Sequence, residues 1–243
     1  MKAVAVPSDD ASSRLLTRAL TAAAAALVAI GLWDLGGVPE AEAKGGGKFE
    51  YGCRVQQPQK FLERRTFMKK GGVLDVKKQA KAVRYLAEHY GHVSEETKVF
   101  NAKGALAQAK NMRFMGLPIS VHAKIAPALT CVEKHLRKTG GRYKPRAIGG
   151  FRDANTYRGL EVSNHLFGIA LDIDPDKNPC CHCVDPWPSN PICKLPGPVY
   201  KRTALPKTWI KAFERYGFDW LGHDALEDTM HFEFLGDPER IKK

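Results

Sequence analysis

Three short segments of this 243-residue chain carry side chains suited to chemistry. They are Gly149-Gly150-Phe151-Arg152, the stretch from Ser163 through His165 to Asp172, and Asp228-Thr229-Met230-His231-Phe232-Glu233. Residues 168–174 (GIALDID) alternate, which predicts a strand with Gly168, Ala170, Asp172 and Asp174 on one face. Glycine and alanine leave that face open, so Asp172 is expected to stand on it with little shielding. His165 lies just upstream, where the chain enters the strand. Residues 230–235 (MHFEFL) predict a second strand, with His231 and Glu233 on one face and Met230, Phe232 and Phe234 on the other. If the two strands are neighbours, His165, Asp172 and His231 converge. Two histidines, one carboxylate and an open position make a catalytic zinc site, and zinc activates water and polarises a carbonyl.

The remaining groups have natural roles around such a centre. Asp228, three residues before His231, is in reach to serve as a general base, with an acidity perturbed by burial and by the metal. Arg152 is the cationic donor nearest in sequence for a tetrahedral oxyanion, and Arg158 is its rival. Glu233 shares a face with His231 and suits an orienting bond to it. Each residue also has a plain structural reading: core histidines, turn-capping carboxylates, a solvated arginine. Trp187 and Trp220 could stack on a substrate or simply pack.

The elements that must position these groups follow from periodicity. Apolar residues Val73, Val76, Ala80, Val83, Leu86 and Ala87 predict a helix over 73–90. Ile125, Leu129, Val132 and Leu136 predict another over 120–139, stopped by Gly140-Gly141. Residues 206–216 predict a third, with Trp209, Ile210, Phe213 and Tyr216 on its apolar face. Residues 146–151 predict a short strand. Helices and strands without a regular βαβ rhythm indicate an α+β fold with a mainly antiparallel sheet and flanking helices. Residues 175–206 hold 8 of the 15 prolines and four of the six cysteines. Proline bars regular structure from that stretch, so it is a long loop that something else must tie down.

The paired motifs S-x-H-x2-G-x-A-x-D and D-x-M-H-F-E resemble those of the zinc D-alanyl-D-alanine carboxypeptidases. That group includes vancomycin-resistance D,D-dipeptidases and the L-alanyl-D-glutamate endopeptidases of phage lysins. The resemblance spans residues 113–236 and leaves 44–112 uncovered. It implies a hedgehog/DD-peptidase-like fold, with one zinc ion held by His165, Asp172 and His231. It further implies Asp228 as general base, where many relatives have glutamate and the endolysin-like branch has aspartate. Arg152 would steady the oxyanion, and Ser163 would support the ligand loop or bind substrate. The implied substrates are peptidoglycan stem peptides, cut at a D,D- or an L-Ala-D-Glu bond.

Composition frames that reading. Residues 20–33 are an apolar run of 14 preceded by Arg14 and Arg18 and followed by Ala41-Glu42-Ala43, the order of a secretory signal peptide over 1–43. An uncleaved membrane anchor is the alternative. The expected organisation is therefore a leader (1–43), a basic extension (44–112) and a zinc peptidase domain (113–243). Residues 44–150 carry 23 basic and 7 acidic residues, whereas 151–243 carry 12 and 14. A basic exported body suits an anionic cell-envelope polymer. Nucleic-acid binding is disfavoured by the leader and by basic stretches without interleaved aromatics. A non-catalytic wall-binding module is the competing function. Cys180, Cys181, His182, Cys183 and Cys193 could hold a structural zinc, but export favours disulfides, with at least one bridge stapling the 175–206 loop. Six cysteines allow fifteen pairings, and sequence does not choose among them.

Overall fold

The computed structural model describes residues 48–69, 72–157 and 160–242; the expected leader of residues 1–43 and Arg158 lie outside them. The chain runs β1 (Phe49–Glu50), β2 (Cys53–Arg54), α1 (Arg64–Phe67), β3 (Met68–Lys69), β4 (Val73–Leu74), α2 (Val76–Tyr90), β5 (Ala109–Phe114) and β6 (Leu117–His122). It continues through α3 (Ala126–Thr139), β7 (Ile148–Gly149), β8 (Ala170–Ile173), α4 (Lys207–Glu214), β9 (Phe218–Trp220) and β10 (His231–Phe234). This is an α+β fold whose strand pairs are antiparallel.

The sheet that carries the site has the order β7-β8-β10-β9. Strand β10 alternates strictly. Phe232 and Phe234 turn to the helices, where Phe213 of α4 stacks on Phe232 with ring centroids 4.2 Å apart. His231 and Glu233 turn to the opposite face, and both are buried. The register sets His231 opposite Asp172, and Asp172 opposite Gly149. Helix α4 is anchored by Trp209, whose indole N–H donates to the Gly140 carbonyl at the end of α3 at 3.0 Å. One apolar core collects Leu62, Phe67, Leu86 and Tyr90 together with Phe114, Leu129, Phe213 and Phe232, so residues on both sides of position 112 share it.

Three local expectations are corrected. The helix predicted over 120–139 begins at Ala126, and its first residues belong to strand β6. Ile119 and Val121 are buried at a period of two, and a turn at Met115 and Gly116, both at positive φ, folds β6 back on β5. The face of β8 is also not open. Gly168 sits at φ +66°, and a Cβ there would lie 2.1 Å from the Phe151 ring. Phe151 fills the space that the glycine leaves, and Asp172 is 4% exposed. Asp174 leaves the shared face altogether. At φ +44° its carboxylate accepts from the Arg146 and Ala147 amides and from the Tyr143 hydroxyl.

The helical elements of the proline-rich stretch are single 3-10 turns, at Trp187–Ser189, Pro191–Lys194 and Val199–Lys201. Disulfides Cys180–Cys183 and Cys181–Cys193 staple it, and Cys53–Cys131 joins β2 to α3. The cysteines that could have held a structural zinc are thus paired with one another.

Candidate metal centre

His165 enters the site on a tight turn. The Gly168 amide donates to the His165 carbonyl at 3.1 Å, and the His165 amide reaches the Ser163 hydroxyl at 3.4 Å. Ser163 is fully buried and braces this turn. The imidazole Nδ1 of His165 lies 2.6 Å from the Gly150 carbonyl. A carbonyl only accepts, so Nδ1 carries the proton and Nε2 presents a lone pair. Gly150 must be glycine for this contact, because a Cβ there would meet the Ser120 carbonyl oxygen at 2.1 Å.

His231 is fixed from the other side. Its Nε2 lies 3.3 Å from Glu233 Oε2, which also accepts from Asn164 Nδ2 at 2.7 Å. The carboxylate therefore holds the proton on Nε2 and leaves Nδ1 facing inward. His165 Nε2 and His231 Nδ1 are 3.2 Å apart. Asp172 closes the triangle, with Oδ1 at 3.1 Å from His231 Nδ1 and Oδ2 at 3.3 Å from His165 Nε2. All three side chains are buried.

The electrostatics fit a cation. Burial alone would raise the Asp172 carboxyl, but His165 and His231 hold it well below its ordinary value. Burial keeps the His165 imidazole low. Burial would lower His231 too, yet its bonds to Asp172 and Glu233 outweigh that and lift it to about 10. That value reports a field that favours positive charge at this point. A divalent ion satisfies the same field and displaces the proton on binding. Two inward lone pairs and a carboxylate are a zinc donor set, so the residues present fit the ion.

Asp228 lies beside this triangle. Burial pushes its carboxyl up to about 7, against the pull of His231. Its Oδ1 is buried with no hydrogen-bond partner among the described residues, as is Glu233 Oε1. The backbone around it is held by the Asp228 amide to Leu221 and by the Thr229 hydroxyl to the Pro179 carbonyl at 3.0 Å. Arg152 is half-exposed and donates from Nη2 to Asp172 and from Nη1 to Thr156 Oγ1. It reaches the centre through the Asp172 carboxylate. Trp220 packs in the core, with its indole N–H on the Thr229 carbonyl, and Trp187 is half-buried in the stapled loop.

Several contributors were not legible in the sequence. Asn164 orients Glu233, and Asn155 accepts from the Ser163 amide. Arg64, outside the resemblance, is buried against Glu161 and Asp224. The Cys180–Cys183 pair lies against Asp228, with Cys183 Sγ 3.8 Å from Oδ2. A lone polar residue such as Asn155, Asn164 or Arg64 carries no periodic signal; only the cysteine spacing could have flagged its site.

A buried His2Asp triangle across two antiparallel strands, with a buried carboxylate at its edge, is a group of side chains that could hold a divalent metal ion. Residues 158–234 match the model of a peptidase family described as D-alanyl-D-alanine carboxypeptidase, whose members depend on zinc. The matched segment includes Ser163, His165, Asp172, Asp228, His231 and Glu233, but not Arg152. No curated protein and no solved structure matches the chain.

Proposed function

We propose that the protein is a zinc peptidase that cleaves peptide bonds in peptidoglycan stem peptides, with the L-Ala-D-Glu bond favoured over the D-Ala-D-Ala bond. The observation that carries the reading is the convergence of His165 Nε2, His231 Nδ1 and Asp172 within 3.1–3.3 Å of one another, inside the segment that matches the family. The aspartate at 228, as in the endolysin-like branch that the sequence resembles, favours the endopeptidase.

His165, Asp172 and His231 would hold the ion. Zinc, when bound there, supplies Lewis acidity toward the scissile carbonyl and makes water more acidic. Asp228 takes the proton of the attacking water and returns it to the leaving amine. Burial raises this carboxyl above its ordinary value, which strengthens it as a proton acceptor. Arg152 donates to the oxyanion of the tetrahedral carbon. Gly150 and Glu233 hold the two imidazoles in the tautomers that point lone pairs inward. Ser163 keeps the His165 turn in place. Three cystines suit an exported protein, and the basic surface of residues 44–150 suits an anionic wall polymer.

The test is digestion of purified sacculi by the zinc-loaded protein, with products read by mass spectrometry. New N-terminal D-glutamyl peptides are expected. Loss of a terminal D-alanine instead would assign the carboxypeptidase. Unchanged muropeptides, with zinc bound, would leave a non-catalytic wall-binding module.

A further inference from the structure

Asp228 faces two ligand sets. Besides the histidine triangle, its carboxylate and the sulfurs of Cys180 and Cys183 form a group whose donor atoms all lie within 4.8 Å of one another. Cys180 pairs backbone to backbone with Asp228, and the Cys183 amide turns back to the Cys180 carbonyl at 3.4 Å. That turn puts both sulfurs on the side of the carboxylate. The C-x2-C spacing is the one zinc knuckles use. Asp228 Oδ2 faces Cys183 Sγ at 3.8 Å, and its Oδ1 is buried with no hydrogen-bond partner among the described residues.

We propose that Cys180, Cys183 and Asp228 form a second divalent-metal site, closed while the two cysteines are joined and opened when their disulfide is reduced. An ion held there takes Asp228 away from hydrolysis, so the site couples activity to the redox state of the loop. This consequence rests on Asp228 being the general base; the metal site itself does not. The chemistry balances with an external dithiol. The dithiol gives up two electrons and two protons and ends as a disulfide, while the Cys180–Cys183 bond becomes two thiols. The divalent ion then displaces both protons and binds two thiolates and one carboxylate oxygen.

This disulfide is the one built to open. It spans three residues of sequence, against 12 for Cys181–Cys193 and 78 for Cys53–Cys131. Closing a short loop constrains the unfolded chain least, so opening it forfeits least stability. Cys183 is half-buried and within reach of a small reductant, whereas Cys53 and Cys131 lie in the core.

The test uses the full chain carrying Cys181→Ser and Cys193→Ser, which removes competing thiols from the loop. The protein is reduced with dithiothreitol, desalted without oxygen and titrated with Co2+, then with Zn2+. Alkylation mapping shows which cystines opened. One ion per chain is expected before reduction and two after it, the second with a thiolate-to-cobalt charge-transfer band. Adding Asp228→Asn or Cys183→Ser should return the count to one. Cys183→His in the same background needs no reductant, because Cys180 is then a free thiol beside an imidazole and Asp228. It should bind two ions as purified. A count of one for both the reduced protein and the Cys183→His variant overturns the proposal, as does a second ion that survives Asp228→Asn. Muropeptide cleavage should fall about 10²–10⁴-fold when the second ion binds, the usual worth of a general base. If neither state cleaves muropeptides, the peptidase reading fails while the ion count still decides the second site.

Discussion

Arg64 reaches from α1 into the loops that carry the site, and replacing it should unsettle both at once. Its guanidinium donates to both oxygens of Glu161, two residues before Ser163, and to Asp224, four residues before Asp228. The three side chains are 7–9% exposed, so solvent screening is slight. Removing one partner of a buried ion pair costs about 3–5 kcal/mol, because the other charge stays buried without compensation. Arg64→Ala leaves two such carboxylates and should lose at least that much at pH 7.5. Burial already holds Glu161 above its ordinary value with Arg64 present, and losing the cation raises it further. A carboxyl whose folded value is raised adds no penalty below its unfolded value and a growing one as pH rises from there to the folded value. The deficit against the parent protein should therefore shrink as pH falls from 8 to 5. Urea denaturation at fixed zinc measures it. Arg64→Met combined with Glu161→Gln and Asp224→Asn should recover most of the loss at pH 7.5. A deficit below about 1 kcal/mol, or one flat with pH, would refute the claim that uncompensated buried charge is the cause.

Other expectations are direct. His231→Ala should lose stoichiometric zinc by metal analysis, and retention of full zinc and activity would remove it from the ligand set. Asp228→Asn should keep its zinc and fold and lose about 10²–10⁴-fold in muropeptide turnover; loss of zinc would make Asp228 a ligand instead. Gly168→Ala should destabilise by about 2–4 kcal/mol, from left-handed backbone strain and the clash with Phe151, and a neutral result would show that Phe151 can swing aside. Asp219, raised to about 7 by burial with Glu233 across the strands adding to it, penalises the folded state increasingly from pH 4 to 7. Asp219→Asn should thus stabilise the protein most above pH 7, with a gain that fades toward pH 4; an equal gain at both ends would show that charge is not the cause.

The Arg64 contacts also bear on the first part of the chain. Residues 44–112 resemble nothing recognised, yet they supply the only cation that the described structure places against Glu161. Their Leu62, Phe67 and Tyr90 sit in the same core as Phe213 and Phe232. Whatever else the segment binds, it buttresses the loops on either side of the triangle.

The convergence of His165, Asp172 and His231 was legible in the sequence because the alternation behind it is local. Alternation over GIALDID and MHFEFL placed Asp172, His231 and Glu233 on their strand faces, and periodicity placed α2 and α4 within three residues of their observed bounds. The paired motifs that hold His165, Asp172, Asp228 and His231 are read within single segments. What only the tertiary structure decided is non-local. The register that sets His231 opposite Asp172 depends on two segments about 60 residues apart in sequence pairing without slip. The tautomers depend on the Gly150 carbonyl and on Glu233, whose roles appear only when separate loops meet. The filled face at Gly168, the β6 strand inside an apparent helix and the three cystine pairs follow from packing partners that periodicity does not encode. Periodicity reports which face of an element is apolar, and folding chooses what that face meets.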